Sequence, residues 1–313
     1  MTGSFTSSNK RLFTTKDLLM TSLVSAAYLL LSYWLIGYKQ DQLTLVILFN
    51  VCYYLSFITR KFILGFAIFI VFWIIFDFMK AFPNYHYQEV HIQSLYETEK
   101  KWFGISDTGK MITPNEYWAN HPTQFLDILT GLFYLSWVPV PLGFAAFLFF
   151  KNRKWFLEFS LTFLFVNILG FIIYYVYPAA PPWYVQQYGF DFLAGTPGNT
   201  AGLHRFDDYF DVSIFKSLYE KSSNVFAAMP SLHSAYPLIV LYFGWRFQLK
   251  WINIFFATVM LGIWFAAVYT SHHYVLDVLA GITCAIIGII VFSRLSRQKA
   301  ISKQIEAYAR HIA

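Results

Sequence analysis

The sequence predicts an all-α integral membrane protein with about eight transmembrane helices, and three observations carry that prediction. Of 313 residues, 57% are hydrophobic and only 13% are charged, roughly half the charged share with which a soluble domain covers its surface. The apolar residues fall in uninterrupted runs of near-spanning length. The basic residues gather in short segments on alternate sides of those runs. A formal charge of +6 therefore reports topology first, and no nucleic-acid partner is expected. The two cysteines, Cys52 and Cys284, lie inside apolar runs, which gives no zinc or disulfide framework. The N-terminus lacks a short apolar run followed by a small-residue cleavage site, so no removable signal peptide is expected.

The runs cover approximately 18–37, 43–59, 62–79, 125–150, 155–177, 229–248, 252–270 and 275–293, each near the roughly 20 residues that a spanning helix needs. Thr59-Arg60-Lys61 alone separates the second from the third, which makes a tight hairpin. Pro139 and Pro141 interrupt the fourth, where a kink is expected. With the N-terminus in the cytoplasm and the runs alternating, the inner segments hold Lys10, Arg11 and Lys16; Arg60 and Lys61; Lys151, Arg153 and Lys154; Arg246 and Lys250; and Arg294, Arg297, Lys299, Lys303 and Arg310. That is 15 of the 23 basic residues, in short loops where the positive-inside rule applies best. Both termini are then cytoplasmic.

Seven of the eight histidines fall on the outer, periplasmic or luminal side: His86, His91, His121, His204, His233, His272 and His273. Two long outer loops, about 80–124 and 178–228, contain nearly all the non-helical sequence, and loops of that length usually carry function. From Tyr85 to Phe103, Val90, Ile92, Leu95 and Trp102 recur at helical spacing beside Glu97, Glu99, Lys100 and Lys101. A helix lying in the membrane interface fits this pattern, and so does a solvated loop helix. The expected organisation is a cytoplasmic segment with two extra spans (1–61), a six-span catalytic core (62–295) and a basic cytoplasmic tail (296–313).

Two polar signatures stand at the ends of apolar runs on the same predicted face. One is Met229-Pro230-Ser231-Leu232-His233-Ser234, and the other is Ser271-His272-His273-Tyr274-Val275-Leu276-Asp277. A spacing of four on a helix puts His273 and Asp277 on one face, within hydrogen-bond reach. A carboxylate on one ring nitrogen fixes the tautomer and makes the other a better base or nucleophile. Ser271 is placed to cap the eighth span, whose first free N–H groups favour an anion. Pro230 suits a first helical turn, with Ser231 and Ser234 offering hydroxyls. Two histidines and a carboxylate beside such an anion site suit phosphoryl transfer, with one histidine attacking phosphorus and the other protonating the leaving oxygen. On the residues alone, a zinc site made of the same three groups and purely structural histidines remain as the other readings. His272 has no carboxylate at the matching spacing and is read as phosphate-facing or simply interfacial.

Pro230-Ser231-Leu232-His233-Ser234 and His272-His273-Tyr274-x-x-Asp277 resemble the paired motifs of the type 2 phosphatidic acid phosphatase superfamily, and more narrowly those of its inositol phosphorylceramide synthase branch. Tyr177-Pro178-Ala179-Ala180-Pro181-Pro182-Trp183-Tyr184, Gly195-Thr196-Pro197-Gly198 and Leu203-His204-Arg205-Phe206-Asp207 are similar to that branch's large outer loop. Phe82-Pro83-Asn84-Tyr85, Val90-His91, Leu95-Tyr96 and Phe103-Gly104 resemble its first outer segment. His121, Leu126-Asp127 and Tyr134 resemble the start of the span after it. The likeness covers roughly residues 75–295. It implies a six-helix core preceded by two extra helices, His273 as a nucleophile forming a phosphohistidine, Asp277 as its support, and His233 as acid and then base. It implies no cofactor and no metal.

The superfamily's phosphatases usually add an Arg-Pro motif and an arginine six residues before the nucleophile. This chain has no Arg-Pro pair, and position 267 is alanine. A phosphomonoester carries close to two negative charges and a diester one, so fewer cations favour a diester substrate. Arg205 is a candidate phosphate partner, as are Ser231, Ser234, His272 and Asp127. Lys216 and Lys221 read better as a solvated loop face. The implied function is a lipid phosphotransferase moving a phosphoinositol-like head group from a glycerophospholipid to a ceramide-like alcohol. A lipid phosphate phosphatase using water is the alternative, and a non-enzymatic transporter or scaffold is a third reading. The expected partners are membrane lipids, and the sequence names no partner subunit.

Overall fold

The computed structural model describes residues 12–220 and 224–313. Lys10 and Arg11 of the orientation count and the loop cation Lys221 lie outside the described residues. The described chain is almost wholly helical: α1 (Thr15–Ile36), α2 (Gln40–Leu55), α3 (Phe57–Phe78), α4 (Gln93–Phe103), α5 (Pro114–Asn120), α6 (Gln124–Leu135), α7 (Pro139–Lys151), α8 (Arg153–Val176), α9 (Pro182–Tyr188), α10 (His204–Phe210), α11 (Ile214–Tyr219), α12 (Leu232–Arg246), α13 (Ile252–Tyr269), α14 (Val275–Leu295) and α15 (Lys299–His311). A short antiparallel pair, β1 (Ile105–Asp107) and β2 (Lys110–Ile112), is joined in the register Ile105 to Ile112.

Among the described residues, six helices are long and apolar enough to cross a membrane: Thr15–Ile36, Phe57–Ala81, Gln124–Lys151, Arg153–Val176, Ile252–Tyr269 and Val275–Leu295. The chain is a multi-pass integral membrane protein. The other two expected spans are helical but shorter, with 16 residues in α2 and 15 in α12. At 1.5 Å per residue they measure about 22–24 Å, less than the roughly 30 Å hydrocarbon core. α12 is short because Met229-Pro230-Ser231 is not helical and Ser231 serves as its N-cap. The expected kink in the fourth run takes the form of a turn at Ser136–Val138, after which Pro139 starts α7.

The chain divides into two compact units, Met1–Ala81 with Tyr308–Ala313, and Phe82–Ala307. In the first, α1 and α2 are joined by polar contacts on an otherwise apolar surface. Thr21 Oγ1 lies 2.8 Å from the Tyr54 hydroxyl, and Asn50 Nδ2 donates to Ser25 Oγ at 3.0 Å. Arg60 pairs with Asp17 at 3.5 Å and lies over the Tyr53 ring. Leu23, Leu30 and Trp34 are exposed along α1, as expected of a face that meets lipid.

In the second unit α12 packs against α8, α13 and α14. Buried polar groups on these helices find partners within the bundle: Tyr236 donates to Asn167 Oδ1 at 2.6 Å, and Trp264 Nε1 to the Ser234 carbonyl at 2.9 Å. Above the bundle, the two outer loops are stitched by backbone. His91 N donates to Pro178 O at 2.8 Å, Ala180 N to His91 O at 3.1 Å, and Ala179 N to Phe226 O at 2.9 Å. Asn84, fully buried, donates to the carbonyls of Tyr174 and Phe226 at 2.8 and 2.9 Å. These bonds make both loops a fixed roof, and they satisfy the backbone groups that burial would otherwise orphan.

Candidate active site

The N-termini of α12 and α14 meet under that roof. Ser231 N donates to the Asp277 carbonyl at 2.9 Å, which joins the two signatures directly. Gly281, one turn beyond Asp277, makes this approach possible, because a Cβ there would stand 2.1 Å from the Ser231 carbonyl oxygen. At the start of α12, Ser231 Oγ accepts the Ser234 N–H at 3.3 Å and the Ser234 hydroxyl at 3.0 Å, and both serines are buried. Their hydroxyls thus serve each other and the helix end.

His233 follows in the first turn of α12. Its Nδ1 lies 3.2 Å from His273 Nε2 and 3.1 Å from the Tyr134 hydroxyl. The Trp137 ring meets it edge-on at 4.4 Å. Tyr134 and Trp137 reach this position because α6 ends at Leu135 and the chain turns before α7.

His273 does not lie on a helix. α14 begins at Val275, with Tyr274 as N-cap, so the four-residue spacing to Asp277 spans a helix start rather than a helical turn. His273 Nδ1 stands 3.6 Å from Asp277 Oδ2, beyond a normal hydrogen bond. That oxygen instead accepts the Tyr274 N–H at 2.9 Å. Asp277 is fully buried and His273 is 7% exposed. Burial pushes the His273 ring down to about 4, against a smaller opposing effect of the Ala228 carbonyl. The ring is therefore neutral at pH 7, with a lone pair available.

The turn before α14 is held from several directions. The Ala267 carbonyl accepts His272 N at 3.1 Å and His273 N at 3.0 Å, and Ser271 takes a left-handed φ of 59° between them and α13. Trp183 N donates to Ser271 O at 3.0 Å, and Gln186 Nε2 to Ser271 Oγ at 3.1 Å. Ser271 is thus not the cap of the eighth span. Asn115 Nδ2 donates to the carbonyls of Val268 and His273 at 2.8 and 2.9 Å. The first N–H groups of α14 are also occupied, since Glu99 of α4 accepts Val275 N at 2.9 Å and Leu276 N at 3.1 Å. Glu99 is fully buried. Burial raises its carboxyl to about 7, against the two N–H bonds, which lower it. The anion at this helix end is a side chain of the first outer loop.

His272 makes no hydrogen bond to His233 or His273, and its ring lies 5.3 Å from that of Tyr134. Its Nδ1 lies 3.0 Å from Thr270 Oγ1 and its ring 4.6 Å from that of Tyr219. Burial, then the neighbouring His273 and His233, hold it well below the ordinary imidazole range. Arg205 Nε donates to Asp127 Oδ1 at 2.6 Å, and Tyr269 donates to the same oxygen at 2.8 Å. Arg205 Nη2 is buried without a hydrogen-bond partner among the described residues. Gly202, against which that guanidinium packs, donates its N–H to Thr270 O at 2.9 Å. The pair therefore adjoins the histidine turn. Lys216 is exposed. Among the described residues, no group of three or more His, Cys, Asp or Glu side chains is arranged to hold a metal ion.

Glu99, Asn115 and Trp137 escaped the sequence reading. Glu99 had a usable signal: Ile92, Leu95 and Glu99 fall on one face at helical spacing, so a carboxylate interrupts an apolar stripe. Trp102, on the apolar stripe of the expected interfacial helix, is exposed. Tyr134 was legible only through the family pattern. Asn115 and Trp137 had no local signal.

The family described as the PAP2 superfamily matches residues 110–291. A phosphoinositol dihydroceramide synthase of Bacteroides thetaiotaomicron is 44% identical over 279 residues, covering 88% of this chain and 92% of its own. The inositol phosphorylceramide synthase of Candida albicans is 33% identical over 56% of this chain, which spans 37% of that relative. The inositol phosphorylceramide synthase catalytic subunit AUR1 of Saccharomyces cerevisiae is 34% identical over 52% of this chain, which spans 41% of it. No solved structure matches the chain.

Proposed function

The chain belongs to the PAP2 superfamily, and from that premise we propose that it is a membrane phosphotransferase that moves a phosphoinositol-like head group from a glycerophospholipid to a ceramide-like lipid alcohol. The 3.2 Å approach of His233 Nδ1 to His273 Nε2, with Asp277 behind the second ring, carries this reading. His273 Nε2 attacks phosphorus, and a P–N bond forms as the P–O bond to diacylglycerol breaks. The departing oxygen keeps the electron pair and takes a proton from His233. Diacylglycerol leaves. His233, now neutral, removes the proton from the acceptor hydroxyl. That oxygen attacks phosphorus, the P–N bond breaks, and its electron pair returns to Nε2. Asp277 offsets the positive charge that His273 gains between the two steps.

The surroundings favour a diester. Ala267 occupies the position of the phosphatases' arginine, its side chain fully buried among Tyr134, Leu203 and Val278. A guanidinium there would have no room. Arg205 is already paired with Asp127, so it brings little net charge to a phosphate, though its unpartnered Nη2 is a donor for one oxygen. In this reading Ser231, Ser234 and His272 shape the site, and Arg205 with Asp127 borders the phosphate. The site opens to the periplasmic or luminal leaflet, both termini are cytoplasmic, and α2 and α12 complete eight spans. Residues 62–295 form the catalytic core.

The test uses purified protein in mixed vesicles with labelled phosphatidylinositol and ceramide, beside a parallel reaction with phosphatidic acid. A phosphosphingolipid should appear together with an equal amount of diacylglycerol. Rapid release of inorganic phosphate from phosphatidic acid, with no phosphosphingolipid, would overturn the assignment in favour of a lipid phosphatase.

A further inference from the structure

A buried carboxylate is usually neutralised by Lys or Arg. Glu99, fully buried on a helix of the first outer loop, has two backbone N–H groups instead, on consecutive residues of α14. A helix start normally takes its cap from its own chain, one to three residues away. Here the N-cap residue, Tyr274, makes no side-chain cap bond, and Asp277 Oδ2 accepts only the Tyr274 N–H. Without Glu99, the N–H groups of Val275 and Leu276 would be orphaned beside Asp277, the nearest carboxylate on their own helix. The helix dipole and the hydrogen-bond deficit would draw Asp277 onto them. Asp277 would then turn from His273 Nδ1, which it now faces at 3.6 Å. On the other side of the turn, Asn115 holds the His273 carbonyl, also from the first outer loop.

We propose that Glu99 and Asn115 are positioning residues for the transfer reaction: the first outer loop clamps the His273 turn, and Glu99 takes the Val275 and Leu276 N–H groups so that Asp277 stays beside His273. This rests on His273 being the nucleophile. The clamp is one connected piece, because Tyr96 of α4 donates to Glu116 of α5 at 3.0 Å, tying the helix of Glu99 to that of Asn115. A ligand that shifts this loop therefore shifts the nucleophile.

The clamp has a titration signature. The titratable groups around the Glu99 carboxyl are Asp277, whose charge opposes its ionisation, and Tyr274, which Glu116 and Tyr96 also face. An ionised Glu99 accepts both N–H bonds, whereas a protonated one keeps a single good acceptor oxygen. With its pKa raised to about 7, transfer should rise with pH as Glu99 ionises through that value. Stability should move the other way. A carboxyl whose folded pKa is raised binds a proton more readily in the folded state, so its contribution falls as pH climbs from the ordinary value of 4.5 through about 7.

The test is Glu99→Gln in the full-length protein, which keeps shape and packing but supplies one acceptor. We expect kcat to fall about 10- to 100-fold with KM for phosphatidylinositol little changed, and the limb near pH 7 to vanish from the activity profile. Asn115→Asp should lower kcat in the same way, because a carboxylate cannot donate to the two carbonyls. Wild-type kcat and an unaltered pH profile in Glu99→Gln would overturn the proposal, as would an effect confined to melting temperature. Activity retained in His273→Ala would instead strike the nucleophile assignment beneath it, so the two failures are distinguishable.

Discussion

Two helix starts meet at the site, and they are finished in opposite ways. α12 caps itself, with Ser231 taking both the N–H and the hydroxyl of Ser234 three residues on. α14 is capped by Glu99, 176 residues from Val275 in the chain. The self-capped start carries His233, which in the proposed reaction gives and takes a proton. The start capped from outside carries His273 and Asp277, which in the proposed reaction hold a covalent intermediate. A local cap keeps its helix end in place whatever the outer loops do. In the proposed clamp, a distant cap makes the histidine turn answer to the first outer loop.

Substitutions at the two starts should therefore differ in kind. The largest effect that separates them is expected for His233→Ala, with transfer lowered about 10²- to 10⁴-fold. A donor with an acidic leaving alcohol, such as a nitrophenyl phosphodiester, should still load the variant, because its leaving oxygen needs no proton. Equal losses with both donors would remove His233 from the acid role. Gly281→Ala comes next, since its Cβ would meet the Ser231 carbonyl at 2.1 Å and push the two starts apart. It should cost about 1–3 kcal/mol of stability and lower kcat with it, read by thermal melting beside turnover. Ser231→Ala should be the mildest. A lost cap costs about 1 kcal/mol, and kcat should stay within about threefold of wild type, as a self-contained cap requires.

The same contrast explains what the sequence made legible. Helical runs, the interruption before Pro139 and the meeting of the two signatures followed from hydropathy and alternation, which are local and additive. A helix start near Ser231 followed from Pro230 before an apolar run, but Pro230 lies outside the first turn and Ser231 is the cap. The start of α14 did not, because the helix pattern of His273-x-x-x-Asp277 and the nearby Ser271 both pointed to a local solution. The backbone turns at Ser271 with a left-handed φ, and the cap comes from another segment. Glu99 sits in a stretch that reads as charged surface, and only its phase with Ile92 and Leu95 marks it as inward. α12 was expected to be longer because hydropathy does not register that Met229-Pro230-Ser231 is not helical and that the helix waits for Ser231.

The most direct measurement is mass spectrometry of the protein quenched at alkaline pH after exposure to phosphatidylinositol without acceptor. A phosphoinositol adduct on the peptide bearing His273 is the predicted result, localised to that ring, lost on adding ceramide and absent from His273→Ala. An adduct on His233 or on a serine, or normal turnover with no adduct at any quench time, would contradict it.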